Sequence, residues 1–449
     1  MSGKVPLPVV IACALVILLI PVLLGGALYR FSEFLLRPPR PTLSRGPFGE
    51  PLRRDGRPLA VLGVALDDVR SSSSGPKAGA LVTEVLLGSA RQAGLRAGDI
   101  IVAADGESIA RASDLHRVVE GRRPGDLLEL AIRRPKSPLG GSSGGAGAPS
   151  TAPYEARDLQ ARLSSIPLDP ADLGLVSRDV EFPGGGGLKA RGWFIQAPAR
   201  PEGPEGTVVM MHGNASNRRA ELPLAGPLHA AGFALLLFDF TGRGDSEGNI
   251  CTYGWRERED ARQALRLAAS LVPDRPIAFH GRSLGGTVAL LAAADPRGAR
   301  VDVVVADSPF DSLAEEISGQ RAEMHLPAWP FEPLFWEVVR WRGGFDPRDI
   351  DVCREAPRVS VPVLLLHGTL DNVVPPEHSE RIAKALGGPH ETEMLAGAGH
   401  NDERPSEVVD HIVSFLLREM RRAGANCHSA VTRGSRQSFP PWGSIGGAS

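Results

Sequence analysis

The predicted fold is decided by five residues, Gly281-Arg282-Ser283-Leu284-Gly285. The apolar stretch from Pro276 to Phe279 before them favours a strand, and the stretch from Thr287 to Ala294 after them favours a helix. A strand, a sharp turn and a helix form a nucleophile elbow, which holds its serine in a strained conformation with the hydroxyl exposed. Glycine is required two residues to either side because a Cβ there would collide with the neighbouring strand or helix.

A serine hydroxyl is a poor nucleophile at neutral pH, so this turn predicts a histidine base and an orienting carboxylate later in the chain. Asp371 follows the buried-strand pattern Val361 to Leu366, and His400 follows the strand candidate His390 to Leu395. The order Ser283, Asp371, His400 is the one that this elbow requires. We therefore predict Ser283 as nucleophile, His400 as base and Asp371 as acid.

Other residues could take these places. Asp307 also stands at a strand end and remains an alternative acid, although position and order favour Asp371. His212, His280 and His367 lie beside strand ends, where structural histidines are common. We interpret them as structural.

Attack on a carbonyl also needs donors for the developing oxyanion. The backbone N–H of Leu284 lies at the start of the predicted helix, whose dipole favours negative charge. The strand Thr207 to Met211 leads into His212-Gly213-Asn214, and we assign the second donor to the Asn214 N–H.

With these motifs in place, residues 175 to 422 resemble an α/β-hydrolase of the H-G-N type, related to serine esterases and serine aminopeptidase-like proteins. The segment Leu237 to Gly248 resembles the loop that borders the active site in this family. Family members more often have arginine where Thr241 stands here, a departure that we expect to affect loop packing rather than the triad. Three polar residues of the segment are interpreted as structural: Asp239, Asp245 and Ser246.

Alternating patterns predict an α/β fold with eight strands in a mostly parallel sheet and helices on both faces. The first two strands read as an antiparallel hairpin, because Pro183 and four glycines separate them. All three catalytic candidates then lie at carboxyl ends of strands, where such sheets place their sites. The predicted strands are 176–182, 188–195, 207–211, 234–238, 277–279, 301–306, 361–366 and 391–395.

The hydrolase domain is predicted over residues 166–422, with a cap insertion at 308–358. This insertion is rich in large rings, although the chain is 5% aromatic. Two interpretations remain open: the rings form the apolar wall of a substrate pocket, or they pack small cap helices on the sheet. The rings are Trp329, Phe331, Phe335, Trp336, Trp341 and Phe345.

Residues 55–135 resemble a small α+β PDZ domain of the kind attached to bacterial HtrA-type proteases. The resemblance rests on Val61-Leu62-Gly63-Val64, on the turn and strand from Ala93 to Ile101, and on Pro124-Gly125-Asp126. It implies that a peptide or protein C-terminus adds to a sheet edge while backbone N–H groups of Leu62, Gly63 and Val64 hold its carboxylate. The alternative is a domain that only packs against the hydrolase or makes a dimer.

The N-terminus predicts a transmembrane anchor over residues 1–30. Val9 to Leu28 carries no charge over twenty residues, enough for a helix of about 30 Å. A cleaved secretory signal is the rival interpretation. The flanking arginines favour a cytoplasmic location for the bulk of the chain and the PDZ resemblance favours the periplasm, so the side of the membrane stays open.

The remaining segments are a flexible Gly/Ser-rich linker at 136–165 and a disordered tail at 423–449. A net charge of -2 gives no electrostatic footprint for nucleic acid, and the four cysteines show neither a disulfide framework nor metal spacing. We expect no cofactor and no metal.

Together these patterns predict a membrane-anchored serine hydrolase that cleaves an ester, thioester or amide of an acyl-type small molecule or protein. A peptidase served by the PDZ domain and a non-catalytic scaffold are the alternatives.

Overall fold

The computed structural model describes most of the hydrolase-like region and parts of the chain before it. The described residues are 26, 28–30, 32–33, 35–38, 53–54, 57–58, 60–62, 64–69, 78–85, 90, 93–96, 98–120, 122–123, 125–136, 154–165, 169–296, 301–323 and 327–431.

An eight-stranded sheet forms the centre of the larger domain, and it contains all eight predicted strands. The spatial order is β11-β12-β14-β13-β15-β16-β17-β18. The pairs β11–β12 and β12–β14 are antiparallel, as the predicted hairpin requires, and the remaining pairs are parallel. The strands are β11 Ser177–Pro183, β12 Lys189–Ile195, β13 Gly206–Met211, β14 Phe233–Asp239, β15 Ile277–Arg282, β16 Val303–Asp307, β17 Val363–Gly368 and β18 His390–Leu395.

Helices cover both faces of this sheet, and successive strand residues point into two separate cores. On β13, Val208 and Met210 pack with Leu228 and Phe415 on one face, whereas Val209 packs in the cluster on the other. This alternation follows from the two-residue period of a strand. The helices of this domain are α2 Leu222–Ala231, α3 Glu257–Leu271, α4 Leu284–Ala293, α5 Leu313–Glu323, α6 Ala328–Gly343, α7 Val352–Glu355, α8 Glu377–Ala385 and α9 Ser406–Val431.

Helices α5 and α6 form the cap insertion. Two of its rings are 80% and 81% exposed, those of Trp329 and Trp341. The other four pack in the hydrolase core: Phe331, Phe335, Trp336 and Phe345. Ordinary packing therefore accounts for these four, and the first of them stacks on the second with ring centroids 5.8 Å apart.

The smaller domain is a mixed structure with an antiparallel sheet of order β4-β5-β6-β8-β9. Helix α1 Ala112–Glu120 contacts β3, β4 and β5. A buried ion pair between Asp99 and Arg134, at 2.7 Å, ties the turn before β6 to β8. The strands are β1 Arg53–Arg54, β2 Arg57–Pro58, β3 Ala60–Val61, β4 Val64–Asp68, β5 Ala80–Val85, β6 Ile100–Ala104, β7 Glu107–Ser108, β8 Leu127–Pro135, β9 Tyr154–Arg162 and β10 Ser164–Ser165.

The boundaries of the linker and the tail differ from their predictions. β9 lies inside the predicted linker and pairs with the whole of β8, because alternate apolar side chains such as Ala161 complete the core of the small domain. Helix α9 likewise runs to Val431, past the predicted start of the tail. Residues 137–153 and 432–449 lie outside the described residues.

The prediction of a single-pass membrane anchor is wrong. Within the part of the chain that the structure describes, none of the helices has the length and apolar character needed to cross a bilayer. Most of the predicted span lies outside the described residues, but Leu28 at its end is 4% exposed and packs in the hydrolase core with Leu35 and Leu36. Arg342 of the cap lies over the ring of Tyr29 in the same segment, 4.1 Å from its centroid.

Candidate active site

Ser283 lies at the turn between β15 and α4, as predicted. Its backbone has φ 52° and ψ −118°, a conformation that L-residues adopt at a cost. The two flanking glycines are explained by close backbone approach: a Cβ on Gly281 would overlap the backbone of Gly285, and a Cβ on Gly285 would overlap the carbonyl oxygen of Met211. The turn therefore fixes the position of the hydroxyl through steric fit on both sides.

The structure brings Ser283, His400 and Asp371 together from three loops at the carboxyl ends of β15, β18 and β17. His400 Nε2 lies 3.0 Å from Ser283 Oγ. The other ring nitrogen, Nδ1, lies 2.6 Å from Asp371 Oδ2. His400 is 5% exposed, and the Asp371 side chain is fully buried. If Nδ1 donates to the carboxylate, Nε2 is free to accept the proton of the serine hydroxyl.

Asp371 is held as an anion. Its Oδ1 accepts hydrogen bonds from the backbone N–H groups of Val373 and Val374, at 3.0 and 2.8 Å. Burial alone would raise its pKa, but hydrogen bonds from His367 and His400 hold the pKa below its usual range. A charged carboxylate can keep the imidazole in one orientation and stabilise its protonated form.

Asp307, the alternative acid, has a different partner. The guanidinium of Arg404 donates to both of its oxygens, at 2.7 and 2.6 Å. Burial would raise the pKa of Asp307, but the charge and hydrogen bonds of Arg404 lower it to about 2. Its backbone carbonyl also accepts from the Ser283 N–H at 2.7 Å, so Asp307 stabilises the turn that carries the serine.

Of the two predicted oxyanion donors, Leu284 is the first residue of α4. Asn214 follows β13, and its neighbour Gly213 lies against the turn: a Cβ on Gly213 would be 3.5 Å from Ser283 Cβ. The loop after β13 thus runs beside the serine, and the two N–H groups stand on different elements that meet there.

Sequence reasoning missed the residues that fix Asn214. Its side-chain oxygen accepts from Arg243 Nη2 at 3.0 Å, and its amide nitrogen donates to the Tyr253 hydroxyl at 3.1 Å. Arg243 is 1% exposed. No local pattern identifies these partners, because each lies 29 or more positions away in the chain.

A further arginine, the variable residue of the elbow, fixes the loop that carries the histidine. Arg282 Nη2 donates to the backbone carbonyls of His400 and Asp402, at 2.6 and 2.9 Å. Arg282 therefore links the turn that carries Ser283 to the loop that carries His400.

Two of the other histidines, His212 and His280, are bound to structural partners. His212 Nε2 accepts from the Phe240 N–H at 3.2 Å, and its Nδ1 lies 2.7 Å from the Gly213 carbonyl. Its burial lowers its pKa to about 4, so the ring is neutral at pH 7. His280 Nδ1 lies 2.9 Å from a carboxylate oxygen of Glu221. Among the described residues, no cluster of His, Cys, Asp and Glu could hold a metal ion.

In the small domain, the predicted carboxylate-binding loop lies between β3 and β4. Leu62 is buried in the domain core, Val64 begins β4, and Gly63 lies outside the described residues. β4 is at the edge of its sheet and contacts α1. Among the described residues, β4 therefore follows this loop directly and lies at a sheet edge beside α1.

Models of known protein families match the sequences of both domains. Residues 60–140 match the model of the PDZ domain, residues 202–337 match serine aminopeptidase, S33, and residues 346–427 match TAP-like protein. An uncharacterized protein of Mycobacterium tuberculosis is 32% identical over 245 residues, which cover 54% of this chain and 79% of that protein. The chain belongs to the α/β-hydrolase family. It is a serine hydrolase with a PDZ domain before its catalytic domain.

Two further proteins are similar to this α/β-hydrolase. Lysophosphatidylserine lipase ABHD12 of Danio rerio is 28% identical over 229 residues, which cover 47% of this chain and 58% of that protein. The structure of the Pyrococcus furiosus esterase Pf2001 aligns with 26% identity and a TM-score of 0.45, covering 56% of this chain and 96% of that one.

Proposed function

We propose that this serine hydrolase cleaves carboxylic esters or thioesters through an acyl-enzyme on Ser283. One observation carries the proposal. A continuous hydrogen-bonded chain runs from the buried Asp371 carboxylate through both nitrogens of His400 to the Ser283 hydroxyl, at 2.6 and 3.0 Å. Geometry of this kind activates a serine, since each group fixes the protonation state of the next.

In the proposed reaction, Ser283 Oγ attacks the acyl carbon while His400 Nε2 accepts its proton. The negative oxygen of the tetrahedral intermediate is bound by the N–H groups of Leu284 and Asn214. His400 then protonates the leaving alcohol or thiol, and the acyl group remains on Ser283. In the second half, His400 takes a proton from water as the water oxygen attacks the acyl carbon. The bond between Ser283 Oγ and the acyl carbon then breaks, His400 returns the proton to Oγ, and the carboxylic acid leaves.

An ester substrate is supported by the similarity to a relative named as a lysophosphatidylserine lipase. Peptide cleavage is the second candidate, because the matching family model is described as serine aminopeptidase and the same three side chains could cleave an amide. The two candidates differ in the leaving group, since an amine is a poorer leaving group than an alcohol or thiol and depends more strongly on protonation by His400.

We infer that the PDZ domain binds the C-terminus of a peptide or protein. The support is the position of β4 at the sheet edge and beside α1 in the described part of the domain, directly after the loop that holds Leu62. An extended peptide could add to this edge as one more strand, with its carboxylate at the loop.

The nucleophile is tested with a fluorophosphonate probe, which reacts covalently with activated serines. Wild-type protein should label, and Ser283→Ala should not. Ser270→Ala is the matched control, because this serine is exposed on α3 and bonds to a backbone carbonyl of its own helix. Labelling that persists in Ser283→Ala would overturn the assignment, and a folded wild-type protein that never labels would favour the scaffold alternative.

The substrate class is tested with paired compounds that share one acyl group. Initial rates are compared for the p-nitrophenyl ester, the thioester and the p-nitroanilide. We expect kcat/KM to be at least 100-fold higher for the ester than for the anilide. Comparable values for both, or faster cleavage of aminoacyl anilides, would favour the peptidase.

A further inference from the structure

A second imidazole lies against the carboxylate proposed as the catalytic acid. His367 is completely buried at the end of β17, four positions before Asp371. Its Nε2 lies 2.8 Å from the Val374 carbonyl oxygen and 3.3 Å from Asp371 Oδ2. Its Nδ1 lies 2.7 Å from Ser379 Oγ, on α8.

The Val374 carbonyl places a hydrogen on Nε2 of the His367 ring. The Val374 carbonyl can only accept, so Nε2 must carry a hydrogen. Nδ1 pairs with the Ser379 hydroxyl, which can either donate or accept. The Nε2–H donates to this carbonyl, and Nε2 also lies 3.3 Å from Asp371 Oδ2, the carboxylate oxygen that faces His400.

The contacts of both carboxylate oxygens restrict the rotamer of Asp371. Oδ1 accepts from the two backbone N–H groups of the following loop, and Oδ2 lies 2.6 Å from His400 Nδ1 and 3.3 Å from His367 Nε2. A carboxylate with contacts at both oxygens keeps one rotamer during catalysis. It can therefore orient the imidazole of His400 without reorganisation.

We propose that His367 is a positioning residue for the triad, acting on Ser283 through Asp371 and His400. It directs Oδ2 of Asp371 toward His400, and it withdraws electron density from that oxygen through its Nε2–H. This role rests on the proposed function, since it requires Asp371 to be the catalytic acid.

The role has a signature in the pH dependence of the reaction. Without the Nε2–H donor, Asp371 carries more negative charge toward His400, so protonated and inactive enzyme should persist to higher pH. The acidic midpoint of kcat/KM should therefore rise by about 0.5 to 1 unit, the effect of one hydrogen bond to a carboxylate. The field of Arg404 also reaches Asp371, but this guanidinium is paired with Asp307 and is the same in every variant compared.

Two amide substitutions separate the two nitrogens of the ring. His367→Asn places its amide near the position of Nδ1, so it keeps a partner for Ser379 and loses the donor to Asp371. His367→Gln places its amide near the position of Nε2, so it keeps the donor. Thr369→Val is the control: its exposed hydroxyl accepts from the Gly397 N–H in the same pair of loops and does not touch the carboxylate.

The measurement is kcat and KM for a p-nitrophenyl ester from pH 5 to 9, on variants whose folding is checked by circular dichroism. For His367→Asn we expect kcat to fall about tenfold, KM to stay within about twofold and the acidic midpoint to rise. His367→Gln and Thr369→Val should keep the wild-type midpoint. An unshifted midpoint in folded His367→Asn, or equal shifts in the Asn and Gln variants, would overturn the proposal.

The outcome is separable from that of the proposed function. If Ser283→Ala still labels with the probe, the triad assignment fails whatever His367 does. If Ser283→Ala loses labelling while the His367→Asn profile matches that of the wild type, the triad stands and only the positioning role fails.

Discussion

Replacing Asp371 by asparagine should lower kcat by about four orders of magnitude without unfolding the protein. The two backbone N–H groups of Val373 and Val374 will select the amide oxygen of the new side chain. The amide nitrogen then faces His400 Nδ1, which becomes an acceptor and forces the ring hydrogen onto Nε2. A ring with this tautomer cannot accept the proton of Ser283, and an equivalent change in a serine protease costs about 10⁴ in kcat, or about 5 kcal/mol.

The matched substitution, Asp307→Asn, should have the opposite profile. It leaves the Arg404 guanidinium, whose side chain is 8% exposed, without a charged partner. Breaking a buried ion pair costs about 3 to 5 kcal/mol, so the free energy of unfolding should fall by that amount while kcat stays within about tenfold. Asp371→Asn should therefore lower activity, whereas Asp307→Asn should lower stability, and this difference distinguishes the roles of the two aspartates.

The assay combines initial rates on a p-nitrophenyl ester with urea unfolding followed by tryptophan fluorescence. The reasoning is refuted if Asp307→Asn loses 10⁴ in kcat while Asp371→Asn remains active, since the acid would then be Asp307. It is also refuted if both variants lose the same activity at unchanged stability.

Two further predictions concern the loops around the serine. Tyr253→Phe removes the acceptor of the Asn214 amide, so kcat should fall about two- to tenfold with little change in KM. A change in KM at unaltered kcat would contradict an oxyanion role for this loop. His212 has its pKa lowered from 6.5 to about 4 by burial, so its contribution to stability is present above pH 6.5 and is lost as the pH falls through 4. The loss should reach about 3 kcal/mol and be smaller in His212→Gln, as measured by urea unfolding at each pH.

The sequence predicted the sheet and the places of Ser283, Asp371 and His400 because these depend on local patterns. Continuous apolar runs identified the strands, and the glycines at 281 and 285 identified the turn, where the structure shows direct backbone contact. Chain order then located the other two side chains, since parallel strands bring their carboxyl ends to one edge.

The sequence did not predict the contacts that depend on distant partners. The strand β9 has a charged, weakly apolar pattern, and only its pairing with β8 gives it a place in the sheet. Leu28 ends the predicted apolar span, yet it packs in the hydrolase core with Leu36, whose carbonyl accepts from the Cys251 N–H at 2.8 Å. In both cases local hydrophobicity carries no information about which surface the segment covers.

The departure at Thr241 shows how one loop can serve both stability and the candidate site. Thr241 donates from its N–H and its hydroxyl to the buried Asp260 of α3, at 2.9 and 3.0 Å, which fixes the start of the loop. Two positions later, the buried guanidinium of Arg243 reaches the Asn214 side chain. A loop that moved at Thr241 would therefore carry Arg243 away from Asn214. The substitution was expected to affect packing alone, but the contacts connect this packing to the proposed oxyanion donor.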